Sequence, residues 1–130
     1  MSATNAFETS LLSHIFANAD IANIGDATGL RGSSTAGNLY ISLHTADPGE
    51  AAASGQQTSE CSYTSYARVA VVRSGSGWTI SGNNASNAAV VTFPTATGGS
   101  ETATHFGIGT ASSGAGVLLF KGSLNTTLAI

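Results

Sequence analysis

The sequence predicts a mainly β fold, a single-domain antiparallel β-sandwich or jelly-roll-like barrel with one short N-terminal helix. Alternation of side chains takes over after Asn38, with Leu39, Ile41 and Leu43 pointing one way and Tyr40, Ser42 and His44 the other. Short segments of strand character follow at residues 66–73, 77–81, 88–93, 102–109, 116–121 and 124–130, separated by glycine-rich turns, as in sandwiches and barrels. Only the start keeps a helical period: Phe7, Leu11, Leu12, Ile15 and Phe16 fall on one stripe.

The helix is expected over residues 6–17, with Asn5 and Glu8 in the spacing of a capping box. Residues 18–37 lose the pattern, and Gly25, Gly29, Gly32 and Gly37 among Ser, Thr and Asp read as a long irregular arm. Helix and arm (1–37) thus precede the β segments (38–130) within one structural domain. Pro48 and Gly49 occupy the central places of a type II turn after Asp47. Residues 51–62, small and polar, read as a flexible excursion. In the 102–109 strand, Ala103, His105, Gly107 and Gly109 share a face open enough for another layer to lie against it. The 116–121 strand has apolar residues on both faces, Val117 and Leu119 against Leu118 and Phe120, which suits a central strand or one covered by a neighbouring subunit. No internal repeat or heptad run encodes a fibrous shaft.

Composition narrows the function. Of 130 residues only 8% are charged, against about 25% in a typical soluble protein, so the surface is polar but nearly without ions. The basic residues Arg31, Arg68, Arg73 and Lys121 are scattered among seven acidic ones, which disfavours nucleic-acid binding. No apolar run reaches the roughly 20 residues of a membrane span, and the first residues lack the pattern of a signal peptide. The expectation is a soluble protein made in a cytosol, with no membrane partner. Cys61 is the only cysteine, which excludes an intrachain disulfide and a cysteine-based zinc site.

Candidate chemistry is sparse. His14, His44 and His105 with Asp47 and Glu50 are the groups an enzyme would use, and His44, Asp47 and Glu50 place three potential metal ligands in seven residues. The spacing matches no strong metal motif. The competing arrangement has His44 bonded to backbone at a strand end, Asp47 capping the turn and Glu50 solvated. A Gly-x-Ser-x-Gly elbow is absent, and Gly107, Gly109 and Gly114 precede a strand and not the helix that phosphate binding needs. Cys61 beside Glu60 lacks a base to activate it. Trp78 is either a core aromatic or a carbohydrate-stacking platform. Arg68 and Arg73 lie an odd number of residues apart on one strand, so one of them should point outward; Arg68 with Tyr66 is the candidate anchor. No enzymatic activity, cofactor or metal is expected.

A resemblance then emerges from residues 39–50 (Leu-Tyr-Ile-Ser-Leu-His-Thr-Ala-Asp-Pro-Gly-Glu), Tyr66-Ala67-Arg68-Val69, Phe93-Pro94-Thr95-Ala96-Thr97 and Thr104-His105-Phe106-Gly107-Ile108-Gly109. In order and spacing these blocks are similar to a family of short tailed-bacteriophage proteins commonly labelled tail fibre proteins. The family often has a Gly-rich stretch where this chain has residues 61–65, and often continues past the equivalent of Ile130, so the resemblance implies a last strand either completed by another subunit or incompletely represented in this sequence. The resemblance implies a non-enzymatic virion component assembled in the host bacterial cytoplasm. Without shaft repeats, we expect a capsid cement or decoration protein that binds across phage major capsid protein subunits, itself a homodimer or homotrimer; the alternative is a tail fibre or tail-tip protein that attaches to the host surface. Candidate interface residues are Phe7, Leu11 and Ile15 on the helix, with Tyr66, Arg68, Trp78 and His105.

Overall fold

The computed structural model describes residues 1–50 and 55–130. It contains helix α1 (Asn5–Ala17) and strands β1 (Asn38–His44), β2 (Val69–Val72), β3 (Trp78–Ser81), β4 (Asn84–Asn87), β5 (Thr102–Gly109) and β6 (Leu118–Ala129). The strands form a four-stranded sheet of order β2-β1-β5-β6 and a two-stranded sheet β3-β4. The fold is therefore mainly β with one short N-terminal helix and two antiparallel sheets, as the sequence predicts, and neither sheet closes into a barrel. The chain divides into two compact units: Met1–Asn38 with Val71–Val91, and Leu39–Ala70 with Thr92–Ile130.

In the first unit, the N-cap of α1 lies one residue before the expected one. Thr4, in extended conformation, accepts a hydrogen bond from Phe7 N through its side chain, so Asn5 is the first helical residue and the Asn5–Glu8 box does not form. The helix ends where Asn18 turns left-handed (φ 57°). Its last carbonyls carry the negative end of the helix dipole, and Arg73 lies against them: Nε donates to Ile15 O (2.6 Å), one terminal nitrogen to His14 O (2.7 Å) and the other to Ala36 O (3.0 Å). The irregular arm is tied by polar contacts. Ile21 and Leu30 exchange two backbone hydrogen bonds of 2.8 Å, and the Asn18 amide bonds both Ser33 N and Ser33 O. Of the helical stripe only Phe16 is buried, packed on Trp78 with ring centroids 4.6 Å apart; Phe7 and Leu11 remain exposed.

Two strand expectations change. Residues 88–93 form no strand; the partner of β3 is β4, because Gly82 at φ 59° closes a two-residue turn that brings the chain straight back. The side chains of Asn84, Ser86 and Asn87 carry no β signal. The separate strands at 116–121 and 124–130 are one strand, since Gly122 and Ser123 stay paired with Phe106 and His105. Gly122 is no turn residue: a Cβ there would lie 2.7 Å from the Phe106 ring, so only glycine lets this ring cross the strand.

The second unit has an apolar cluster and a polar layer. Leu43, Cys61, Tyr63 and Ala103 are buried together, with Tyr66, Phe93, Ala96, Leu124 and Ile130 packed against them. β1 pairs with β5 so that Tyr40, Ser42 and His44 stand opposite Gly109, Gly107 and His105. The layer expected over this glycine face is the chain's own: Gln56, fully buried, lies across Gly109, its Nε2 donating to Tyr40 O (3.2 Å) and its Oε1 accepting from Ala111 N (2.9 Å). Of the excursion expected at 51–62, residues 51–54 lie outside the described residues. In the remainder, Gly55, Gln56 and Cys61 are buried, with Cys61 N donating to Leu43 O, while Gln57, Ser59 and Ser62 are exposed.

Gly109→Ala would drive a methyl group into the Gln56 side chain. Urea denaturation should show a loss of about 1–3 kcal/mol, whereas Gly75→Ala, with nothing within 4 Å of its Cβ position, should change stability by less than about 0.5 kcal/mol.

Candidate functional site

The residues that could carry chemistry are used for structure. His44 sits at the end of β1 with its ring turned inward and fully buried. Its Nδ1 lies 2.8 Å from Thr58 O, an acceptor, so this nitrogen carries the proton; Nε2 then accepts from Ser42 Oγ at 2.8 Å. A serine beside a histidine has the outline of a nucleophile and its base, but the far ring nitrogen meets a carbonyl and not a carboxylate, and both side chains are sealed from solvent. Burial holds the imidazole below its ordinary pKa, with the Thr58 hydrogen bond opposing.

Asp47 and Glu50 turn to Lys121 and not to His44. Lys121 Nζ is 2.7 and 2.9 Å from the two Asp47 oxygens and 3.5 Å from Glu50. The Lys121 ammonium, then Gly49 N, hold the Asp47 carboxyl below the usual range. Asp47 thereby caps its turn by accepting from Gly49 N, and among the described residues no three His, Cys, Asp or Glu side chains converge as metal ligands. Cys61 is buried, and burial foremost, with Glu101 and Glu60 nearby, pushes its thiol up to about 11, which suppresses the nucleophilic thiolate.

Arg68 is not an outward anchor. Its side chain is 2% exposed and its guanidinium grips both oxygens of Glu60, Nε to Oε1 and a terminal nitrogen to Oε2, each at 2.7 Å. The remaining donors reach Ala111 O (2.9 Å) and Gly114 O (2.6 Å), so the ion pair also clamps the turn between β5 and β6. Tyr66 completes the group: its hydroxyl donates to Glu60 Oε1 (2.8 Å) and accepts from Leu43 N (3.0 Å). Burial, then the Glu60 carboxylate, raises the Tyr66 pKa. The other odd-spaced arginine, Arg73, is spent on the helix end, so neither supplies the expected outward charge.

The candidate interface residues therefore divide. Tyr66 and Arg68 are brought together inside the second unit through Glu60, where His105, half-buried with Nδ1 2.8 Å from Thr104 Oγ1, is separate from them in role. Trp78, 4% exposed, is a core residue of the first unit and not a stacking platform. Only Phe7 and Leu11 present apolar surface; Ile15 is half-buried. Val117, Leu119 and Phe120, which the sequence marks as belonging to a strand either central or covered by a neighbour but which are not among its candidate interface residues, are 59, 40 and 37% exposed on or beside β6, and Leu128, which the sequence reading missed, is 48% exposed. The signal for the first three was the apolar character of both faces at 116–121. β6 is the last strand of its sheet, and Leu118–Lys121 with Gly49 and Glu50 line an open depression of about 350 Å³.

A family model described as podophage GP4 fiber I protein gp80 matches residues 2–130. Comparison with curated proteins gives no significant match.

Arg68→Ala leaves the Glu60 carboxylate without its counter-ion and two carbonyls without their Arg68 donors, and should cost about 3–5 kcal/mol in chemical denaturation. The double change Glu60→Leu with Arg68→Met should cost much less than the sum of the two single changes. Cys61 in the native protein should react with a thiol reagent far more slowly than in denaturant, which absorbance of the released chromophore measures directly.

Proposed function

The chain belongs to the podophage fiber I protein family, and from that premise we propose that it is a non-enzymatic structural component of the virion's tail fibre, acting through contact surfaces in attachment to the host. The family match across nearly the whole chain is the observation that carries this reading. The inward-facing His44, the raised Cys61 thiol and the pairing of Asp47 with Lys121 support a role without catalysis. Apolar surface on β6, and on α1 at Phe7 and Leu11, supports assembly into a homodimer or homotrimer and contact with other virion proteins. Repeated copies then make weak contacts strong through avidity, and an ion-poor surface lowers the desolvation cost of each contact. No helix among the described residues is long and apolar enough to cross a membrane.

The capsid-cement reading has less behind it, because the family description names a fibre. Antibody-gold labelling of intact particles separates the two. Label at the tail in few copies per particle is the expected result; label spread over the head in many copies would return the protein to the capsid.

A further inference from the structure

We propose that His44 is an acid-operated latch, whose protonation releases residues 55–58 from the β1–β5 sheet while the sheet itself stays paired. The latch lies within the second unit and does not depend on the fibre assignment. Residues 55–58 are fastened to the sheet at few places. Gln56 N donates to Ala115 O (2.7 Å), its side chain bridges Tyr40 O and Ala111 N, and Thr58 O receives the Nδ1 proton of His44. Only the last of these involves a group that titrates near neutrality, and because the Nδ1 proton is present in both charge states this bond is lost only when the ring itself moves.

The geometry leaves a second proton on His44 poorly accommodated. The ring is fully buried, and glycine at position 107 lets it lie flush: a Cβ there would be 2.8 Å from Nε2. Nε2 is an acceptor for Ser42, whose hydroxyl has one other acceptor in reach, Gly107 O at 3.4 Å. A proton on Nε2 would reverse the Ser42 bond and leave that hydroxyl a long, weak one. The charged groups around the ring are Glu60, which favours the imidazolium, and Arg68 and His105, which oppose it. Glu60 is already engaged by two of the Arg68 nitrogens and by Tyr66, so it is a poor counter-ion for a further cation. Rotating the ring into solvent relieves the strain, and that movement abandons Thr58 O.

The direction with pH follows from linkage. In the closed state burial keeps the pKa of His44 below its ordinary 6.5. Closure is therefore favoured above that value, and below it the opened state takes up a proton that the closed state refuses.

Amide hydrogen exchange on the full chain between about pH 7 and about pH 5 tests the latch. Protection at Gln56 and Ala111, corrected for the intrinsic pH dependence of exchange, should fall about tenfold per pH unit below about 6.5, while the amides of β1 and β5 keep theirs. His44→Gln, which carries no titrating group, should abolish the pH dependence. In the unchanged protein, NMR of the His44 ring supplies a measurement that does not require the variant to fold: its titration midpoint should lie below 6.5 and protection should fall as the ring begins to charge. Equal pH dependence in the variant, a ring that titrates without loss of protection at Gln56, or loss of the whole sheet at the same pH would each overturn the proposal.

Discussion

Arg68 takes a full positive charge to a place where its side chain is 2% exposed, and that is tolerable only because every part of the guanidinium is met: two carboxylate oxygens of Glu60 and the carbonyls of Ala111 and Gly114. Much of the second unit is arranged by this requirement. Glu60 must stand beside the end of β1, where it forms a bridge with His44, and its neighbour Cys61 then falls into the apolar cluster. Tyr66 must bring its hydroxyl to the same carboxylate, which lays its ring edge-on to Tyr63 and parallel to Phe93. The 110–117 turn is held because two of its carbonyls are needed as acceptors. One ion pair thus links three stretches of chain distant in sequence.

In so ion-poor a chain, the rest of the polar interior is built from neutral groups at close quarters. Ser42, His44 and Gln56 are fully buried, and each finds its partners among backbone carbonyls, backbone amides or one another. Such bonds need near approach of main chains, and Gly107 and Gly109 supply it. The first unit uses the same means. Arg73 is its buried-side counterpart of Arg68, but its acceptors are helix-end and arm carbonyls and not a carboxylate. Trp78 Nε1 is the exception among the described residues, buried without a hydrogen-bond partner beside the Phe16 ring.

His44, Asp47, Glu60, Cys61 and Arg68 are thus each held in contacts within the fold. Exposed apolar side chains on and beside β6, and Phe7 and Leu11 on α1, are among the surface features of the described residues. In the proposed fibre role these side chains are the contact surfaces, since assembly multiplies each modest contact by the number of copies.

The sequence by itself determined the mainly β class, the N-terminal helix and the strands β1, β2, β3 and β5, but it placed a strand at 88–93 where β4 (Asn84–Asn87) pairs with β3 and divided β6 in two. Two-residue alternation placed β1 and β5 nearly to the residue, because side chains on opposite sides of a strand meet different environments whatever the tertiary fold. It also marked the close approach at Gly107 and Gly109, although not that Gln56 makes it. Tertiary structure decided the roles of particular side chains. The parity of Arg68 and Arg73 could not say what lies on each side of a strand, and both sides proved to hold acceptors. Trp78 reads the same as a core ring or an exposed one until Phe16 is seen against it. Glu60, the partner that turns Arg68 inward, is eight residues away along an irregular path, and no periodicity connects two residues that meet only when the chain folds back on itself.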